Sequence, residues 1–173
     1  MSEAAKYSAL ESLRAGRRVE IRALRPDDRD ALIAAVGRAG AQSLYRRFFG
    51  PRRDFTEQEI TFFVNVDFVD HVALVAVVYE DGRPVIAGGA RYIVVQPGQA
   101  EVAFAVVDQY QGQGIGTMLM HHLAAIAQRT GIRELTAEVL PDNAAMLKVL
   151  GTSGFRTSIR REPQVVHVAL QLS

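Results

Sequence analysis

The chain has 173 residues, 49% hydrophobic and 23% charged, enough for one ordinary domain with its own core. It has no cysteine, which excludes disulfides, cysteine nucleophiles and thiolate zinc sites, and its four histidines are scattered, which argues against a protein metal cage. Lys+Arg is 20 against Asp+Glu 19, a net charge of +1 that argues against a dedicated nucleic-acid-binding module.

No apolar run approaches the ~20 residues that span a bilayer. Met1-Ser2-Glu3-Ala4-Ala5-Lys6 lacks the basic-then-apolar order of a signal peptide, so the cytoplasm is the expected location. Residues 1–17 are polar and read as a flexible lead-in, with residues 18–173 forming a single domain. Val19 to Leu24 alternates apolar and polar, as a half-buried strand does. Pro26-Asp27-Asp28 starts a helix that runs to about Val36, with proline in the first turn and acids at the positive end of the dipole. Ala41 to Phe49 predicts a second helical segment, stopped by Gly50-Pro51, and the capping box Thr56-Glu57-Gln58-Glu59 a third reaching about Asn65.

Val72 to Tyr79 is a valine-rich buried strand, and Asp81-Gly82 a hairpin turn. Val85 to Val95 is its partner, with a bend or bulge at Gly88-Gly89. Pro97-Gly98 turns the chain into a third strand, Glu101 to Val107. Ile115, Leu119, Leu123 and Ile126 have helical spacing within 114–129, and Gly131 ends that helix. A strand at 134–139, a helix at 143–150 and strands at 155–159 and 165–172 complete an α/β domain with a mixed sheet, its parallel part near the third helix-flanked strand.

Gln111-Gly112-Gln113-Gly114-Ile115-Gly116 follows an apolar strand and opens an amphipathic helix. Glycines permit close backbone approach and expose N–H groups, and the helix dipole favours an anion, so pyrophosphate is the natural guest. The same turn could instead be a tight connection with no ligand. It is not a P-loop, lacking Gly-Lys-Ser/Thr, and G-x-G-x-G is not the dinucleotide fingerprint.

Gln111, Gly114 and Gly116 at Q-x-x-G-x-G spacing resemble the acyl-CoA pyrophosphate motif of the GNAT N-acetyltransferases. An upstream meander, the following helix, and Asn143 ahead of Gly154-Phe155 accompany it. Ser43 to Arg53 and Ala100 to Phe104 resemble the bacterial Pat-type protein lysine acetyltransferases. The resemblance covers Val19 to the C-terminus. It implies a GNAT-like domain with a mixed, mostly antiparallel sheet flanked by helices, and acetyl-CoA as co-substrate with no metal. It places cofactor contacts at Val106, Val107, Gln111, Gly112, Gln113, Gly114, Ile115, Gly116, Thr117 and Asn143. Pat-type relatives often carry a further regulatory domain, for which 173 residues leave no room.

The resemblance also implies that Glu101 is the general base. Alternation puts Glu101, Ala103 and Ala105 on one strand face, a carboxylate beside two small residues, as a substrate channel requires. Against this, glutamate at a strand end is commonly just solvated. A lysine amine, with a reference pKa near ~10.4, is neutral in only about one molecule in ~2,500 at pH 7, so a base is needed.

Many GNAT enzymes place a tyrosine acid where this chain has Leu150, and the nearest tyrosine in sequence is Tyr110. Asn143 reads equally as a helix cap after Pro141-Asp142, and Thr117 as a first-turn residue. Arg46, Arg47, Arg52 and Arg53 are either a solvated surface or a dock for an acidic partner or the CoA 3′-phosphate. His121-His122, His71 and His167 are expected to be structural. The expected reaction is acetyl-CoA-dependent acetylation of a protein lysine, with AMP-forming acyl-CoA synthetases as partner class and no nucleic-acid or membrane partner. The alternatives are a small-amine N-acetyltransferase and a non-catalytic acyl-CoA sensor.

Overall fold

The structure, a computed structural model, describes residues 3–13, 16–38 and 57–172. The expected helix at 41–49 and the basic aromatic segment around Tyr45 to Arg53 lie outside them. In chain order the elements are β1 (Ser8–Ser12), β2 (Arg18–Ala23), α1 (Arg29–Arg38), α2 (Glu57–Val64), β3 (His71–Glu80), β4 (Arg83–Gln96) and β5 (Gln99–Val106). Then follow α3 (Ile115–Arg129), β6 (Glu134–Val139), α4 (Ala144–Gly151), β7 (Arg156–Arg161) and β8 (Val166–Gln171).

The strands form one eight-stranded sheet in the order β1-β2-β3-β4-β5-β6-β8-β7. Every neighbouring pair is antiparallel except β5 and β6. The expected polar lead-in is corrected at Ser8–Ser12, which pairs along its length with β2 from Ser8↔Arg22 to Ser12↔Arg18. It was hidden because an edge strand with polar residues on both faces, and Leu10 71% exposed, shows no hydrophobic alternation.

β3 sits mid-sheet with His71 to Val78 all buried, which is why its sequence is an unbroken apolar run. α3 lays Leu119, Met120, Leu123, Ile126 and Ala127 onto one sheet face. α1 and α2 lie over the other, where the Phe62 ring stands 5.1 Å from that of His71. The start of α1 is fixed electrostatically: Arg22 donates to both oxygens of the buried Asp28 carboxylate at 2.8 Å, and the Arg25 N–H donates to the same group at 2.7 Å. The expected bulge exists: pairing jumps from Ala76↔Gly88 to Val77↔Ile86, leaving Ala87 as the extra residue. A Cβ on Gly88 would stand 2.8 Å from the Ala105 carbonyl oxygen, so glycine lets β4 and β5 approach there.

Candidate active site

Two strands part at the centre of the sheet. The parallel ladder between β5 and β6 runs over three pairs, Gln99↔Glu134, Ala100↔Leu135 and Glu101↔Thr136. Beyond that point β5 continues to Val106 while β6 stays paired on its other side with β8. The strands therefore open like a V whose vertex is Glu101–Thr136.

Residue alternation decides which backbone groups face this opening. The Val107 N–H donates to the Ala87 carbonyl on β4 at 2.8 Å, so odd-numbered residues of this strand address β4. Even-numbered residues address β6: the Ala100 carbonyl accepts from the Thr136 hydroxyl at 3.5 Å, and the Val106 carbonyl from the Gln111 amide at 3.1 Å. Val102, Phe104 and Val106 thus turn their peptide groups into the opening. Val107 does not, since its carbonyl also accepts the Tyr110 N–H at 2.8 Å. Of the two valines expected to present backbone groups to a thioester, Val106 turns its peptide to the β6 side and Val107 turns its own to β4.

The glycine turn closes the wide end of the V. Gly112 and Gly114 have φ of 80° and 97°, and Gly114 caps α3 with no side-chain hydrogen bond. No acidic residue stands in the first turn of α3, so the positive end of its dipole is not neutralised. Ile115 is buried and anchors the turn. A Cβ on Gly116 would touch Val149 at 3.4 Å and Val106 at 3.9 Å, so this glycine lets α3 lie close to α4 and β5. Gln111 ties the turn to β5, the Gln113 amide reaches the Gln109 carbonyl at 3.5 Å, and Thr117 is half-buried beside them. An uncapped helix start beside strand peptides that lie beyond the β5–β6 ladder suits a pyrophosphate with a pantetheine arm.

Glu101 lies at the vertex, half-buried, with its Oε1 closed off from solvent. Its face neighbours Ala103 and Ala105 are buried at 1% and 6% exposure, and Ala103 stands opposite Arg91 of β4, itself 1% exposed. Part of the space left by the small residues is thus filled by a guanidinium, which the sequence reading overlooked. Arg91 donates to His71 Nε2 at 2.9 Å. Burial first, and the Arg91 charge second, push the His71 pKa down to about 4, against a smaller opposing pull from Asp67. A neutral imidazole accepting at Nε2 carries its proton on Nδ1. Asp67 anchors the entry to β3 by accepting the Val69, Asp70 and His71 N–H groups at 2.9, 3.0 and 2.9 Å.

Asn143 caps α4, its Oδ1 accepting from the Met146 N–H at 3.1 Å, so the helix-cap reading is realised. Leu150 is fully buried and cannot deliver a proton. The Tyr110 hydroxyl donates to Glu80 at 2.8 Å under Arg17, whose guanidinium stands 5.8 Å from the ring. His122 lies on the opposite sheet face, bonded to Tyr7 and, at 3.0 Å, to Glu11, and His167 holds Glu162 at 3.0 Å. Both behave structurally. Among the described residues no three His, Cys, Asp or Glu side chains gather around a common point, and no helix is long and apolar enough to cross a membrane.

The family model described as "Acetyltransferase (GNAT) family" matches residues 38–155. The chain belongs to the GNAT acetyltransferase family. It is an N-acetyltransferase by that membership, with acetyl-CoA as the family's acyl donor. Acetyltransferase PA5475 of Pseudomonas aeruginosa is 33% identical over 91% of this chain and 87% of that protein. Acetyltransferase Pat of Mycolicibacterium smegmatis is 36% identical over 82% of this chain, which spans only 42% of that longer relative. The solved GNAT domain of S. lividans PAT superposes with a TM-score of 0.82 at 33% identity, covering 95% of this chain and 96% of that one.

Proposed function

We propose that this GNAT domain transfers acetyl from acetyl-CoA to a lysine side chain of a protein, with AMP-forming acyl-CoA synthetases as the acceptor class. The observation that carries the chemistry is the position of Glu101 at the vertex of the β5–β6 opening. In this reading the pyrophosphate rests on the Gln111–Gly116 turn and the start of α3, and the pantetheine runs along Val102, Phe104 and Val106. Glu101 takes a proton from the incoming ammonium, directly or through one water, and the amine attacks the thioester carbonyl. A β5 N–H facing the opening, best placed at Val106, steadies the oxyanion. Collapse of the tetrahedral species breaks the C–S bond and releases CoA thiolate, a tolerable leaving group without a protein acid, while the second proton of the attacking nitrogen passes to solvent to leave the neutral amide. Asn143 caps α4 at the rim and supplies its amide to the cofactor side. Likeness to proteins named Pat favours a protein acceptor, and acetylating a synthetase's catalytic lysine would remove its charge.

Mass spectrometry of acyl-CoA synthetases incubated with the protein and acetyl-CoA tests the reading. One acetyl group on the catalytic lysine is expected. Unmodified synthetases alongside acetylated spermidine would point to a small-amine enzyme, and tight acetyl-CoA binding with no product to a sensor.

A further inference from the structure

The turn that takes the pyrophosphate in the reading above is built from residues that resist ordering. Gly112 and Gly114 both have positive φ, and glycine loses more conformational freedom than any other residue when it is fixed. A ligand that had to freeze this segment itself would bind less tightly than one that finds it already set. Tight binding therefore asks for the turn to be held from both ends. At the far end Ile115 is 1% exposed. At the near end Tyr110, immediately before Gln111, is 2% exposed. It closes the single helical turn Asp108–Tyr110, its N–H on the Val107 carbonyl at 2.8 Å.

Tyr110 is tied in turn to two segments remote in sequence. Its hydroxyl donates to Glu80 Oε1 at 2.8 Å. Glu80 is the last residue of β3 and stands opposite Arg83 across a hairpin whose Asp81 and Gly82 have φ of 51° and 77°. Arg17, where the chain enters β2, donates to the same Oε1 at 2.6 Å, with its guanidinium 5.8 Å from the Tyr110 ring. One carboxylate oxygen thus joins the entry to β2, the β3–β4 hairpin and the connector into the glycine turn. The Tyr110 hydrogen bond first, and Arg17 second, hold the Glu80 carboxyl below the usual carboxylate range. It is ionised at neutral pH, and both contacts are charge-assisted. The cluster is far from the chemistry. Glu101 stands in register with Ile93 and, through it, His71, at the opposite end of β3 from Glu80. At ~3.3 Å per residue that is roughly 30 Å along the strand.

We infer that Glu80 is a positioning residue for the acyl donor: through Tyr110 it pre-sets the Gln111–Gly116 turn for the pyrophosphate of acetyl-CoA. This rests on the placement of acetyl-CoA proposed above. Glu80 then contributes to donor affinity and takes no part in proton removal or in the choice of acceptor.

The test compares wild type, Glu80→Ala, Glu80→Gln and Tyr110→Phe. In Glu80→Ala and Tyr110→Phe the calorimetric Kd for acetyl-CoA should rise roughly 5- to 10-fold, as loss of one charge-assisted hydrogen bond predicts. At saturating acetyl-CoA, kcat and the acceptor KM should stay within about twofold of wild type. Glu80→Gln keeps an oxygen for the tyrosine hydroxyl and should bind nearly as wild type does. The double variant Glu80→Ala/Tyr110→Phe should cost no more than either single one, because both remove the same contact. Amide hydrogen exchange reads the turn itself: residues 108–117 should exchange faster in the free variants and match wild type once acetyl-CoA saturates them. Should Glu80→Ala not fold, Tyr110→Phe, which deletes only a hydroxyl, carries the comparison. An unchanged Kd with unchanged exchange would overturn the inference, as would faster exchange spread evenly over the sheet or a large fall in kcat. If acetyl-CoA binds wild type but protects no amide of this turn, the placement of the pyrophosphate fails. If it protects the turn and the variants still match wild type, only the role of Glu80 fails.

Discussion

Burial beneath α2, beside the Arg91 guanidinium, keeps His71 neutral through the physiological range. Its folded pKa of about 4 lies below the 6.5 of an exposed histidine, so between those values the unfolded chain binds a proton that the folded chain refuses. Stability is therefore fully present above pH 6.5 and falls as pH drops towards 4, by up to about 3 kcal/mol from this one group. Urea unfolding at pH 7.5 and 4.5 should show a shallower loss in His71→Gln than in wild type; equal losses would contradict the assignment. Tyr110 offers a second check. Its hydroxyl is held by Glu80 and its pKa is raised, by burial above all. Tyr110→Phe should keep nearly all its turnover, and a folded variant that binds substrates yet barely turns over would reveal a tyrosine acid. Neither role was legible beforehand, because the partners lie far off in sequence: Arg91 is 20 residues from His71 and Glu80 is 30 from Tyr110. The places of Glu101 and Leu150 in their elements were legible, because Glu101 lies in an alternating strand before the glycine turn and Leu150 on the apolar face of a capped helix.

At the scale of elements, the turn from β5 into α3 couples sequence to chemistry most directly. The φ of 97° at Gly114 and the open space where its Cβ would lie make it a position that tolerates little but glycine for backbone reasons, with no side chain to collide. Gly114→Asp strains this backbone as Gly114→Ala does, so the difference between the two variants reads the effect of the charge. Calorimetry should show acetyl-CoA binding lost in Gly114→Asp while circular dichroism stays native; full affinity would remove the pyrophosphate from this turn. The meander from β3 to β5 was readable because each strand is buried or alternating and each turn carries its own residues. β1 was not readable, being polar and exposed, and what holds it is remote: β2 beside it and the Tyr7–His122–Glu11 contacts to α3. A parallel part of the sheet was expected, but the point where β5 and β6 part was hidden, since it depends on how the crossover helix returns the chain and not on a local pattern.

The whole molecule is a twisted sheet whose two faces do different work. α3 covers one face and presents its uncapped start to the wide end of the opening. On the other, Glu101 and Glu138 stand at and just past the vertex, with Arg91 and His71 in the same layer. In the proposed reading donor and acceptor enter the gap from opposite faces and meet between the strands, beside a Glu101 Oε1 that is closed off from bulk water. The account centres on Glu101 removing the acceptor's proton, and the pH–rate profile of Glu101→Gln against wild type tests it most directly. Glutamine keeps the shape and loses the basicity, so acetyl-CoA affinity should hold while turnover near neutral pH falls by roughly 10²–10⁴-fold. The deficit should narrow as pH rises and the acceptor amine deprotonates by itself. Near-normal turnover, or a deficit of the same size at every pH, would contradict the assignment and send the proton by another route.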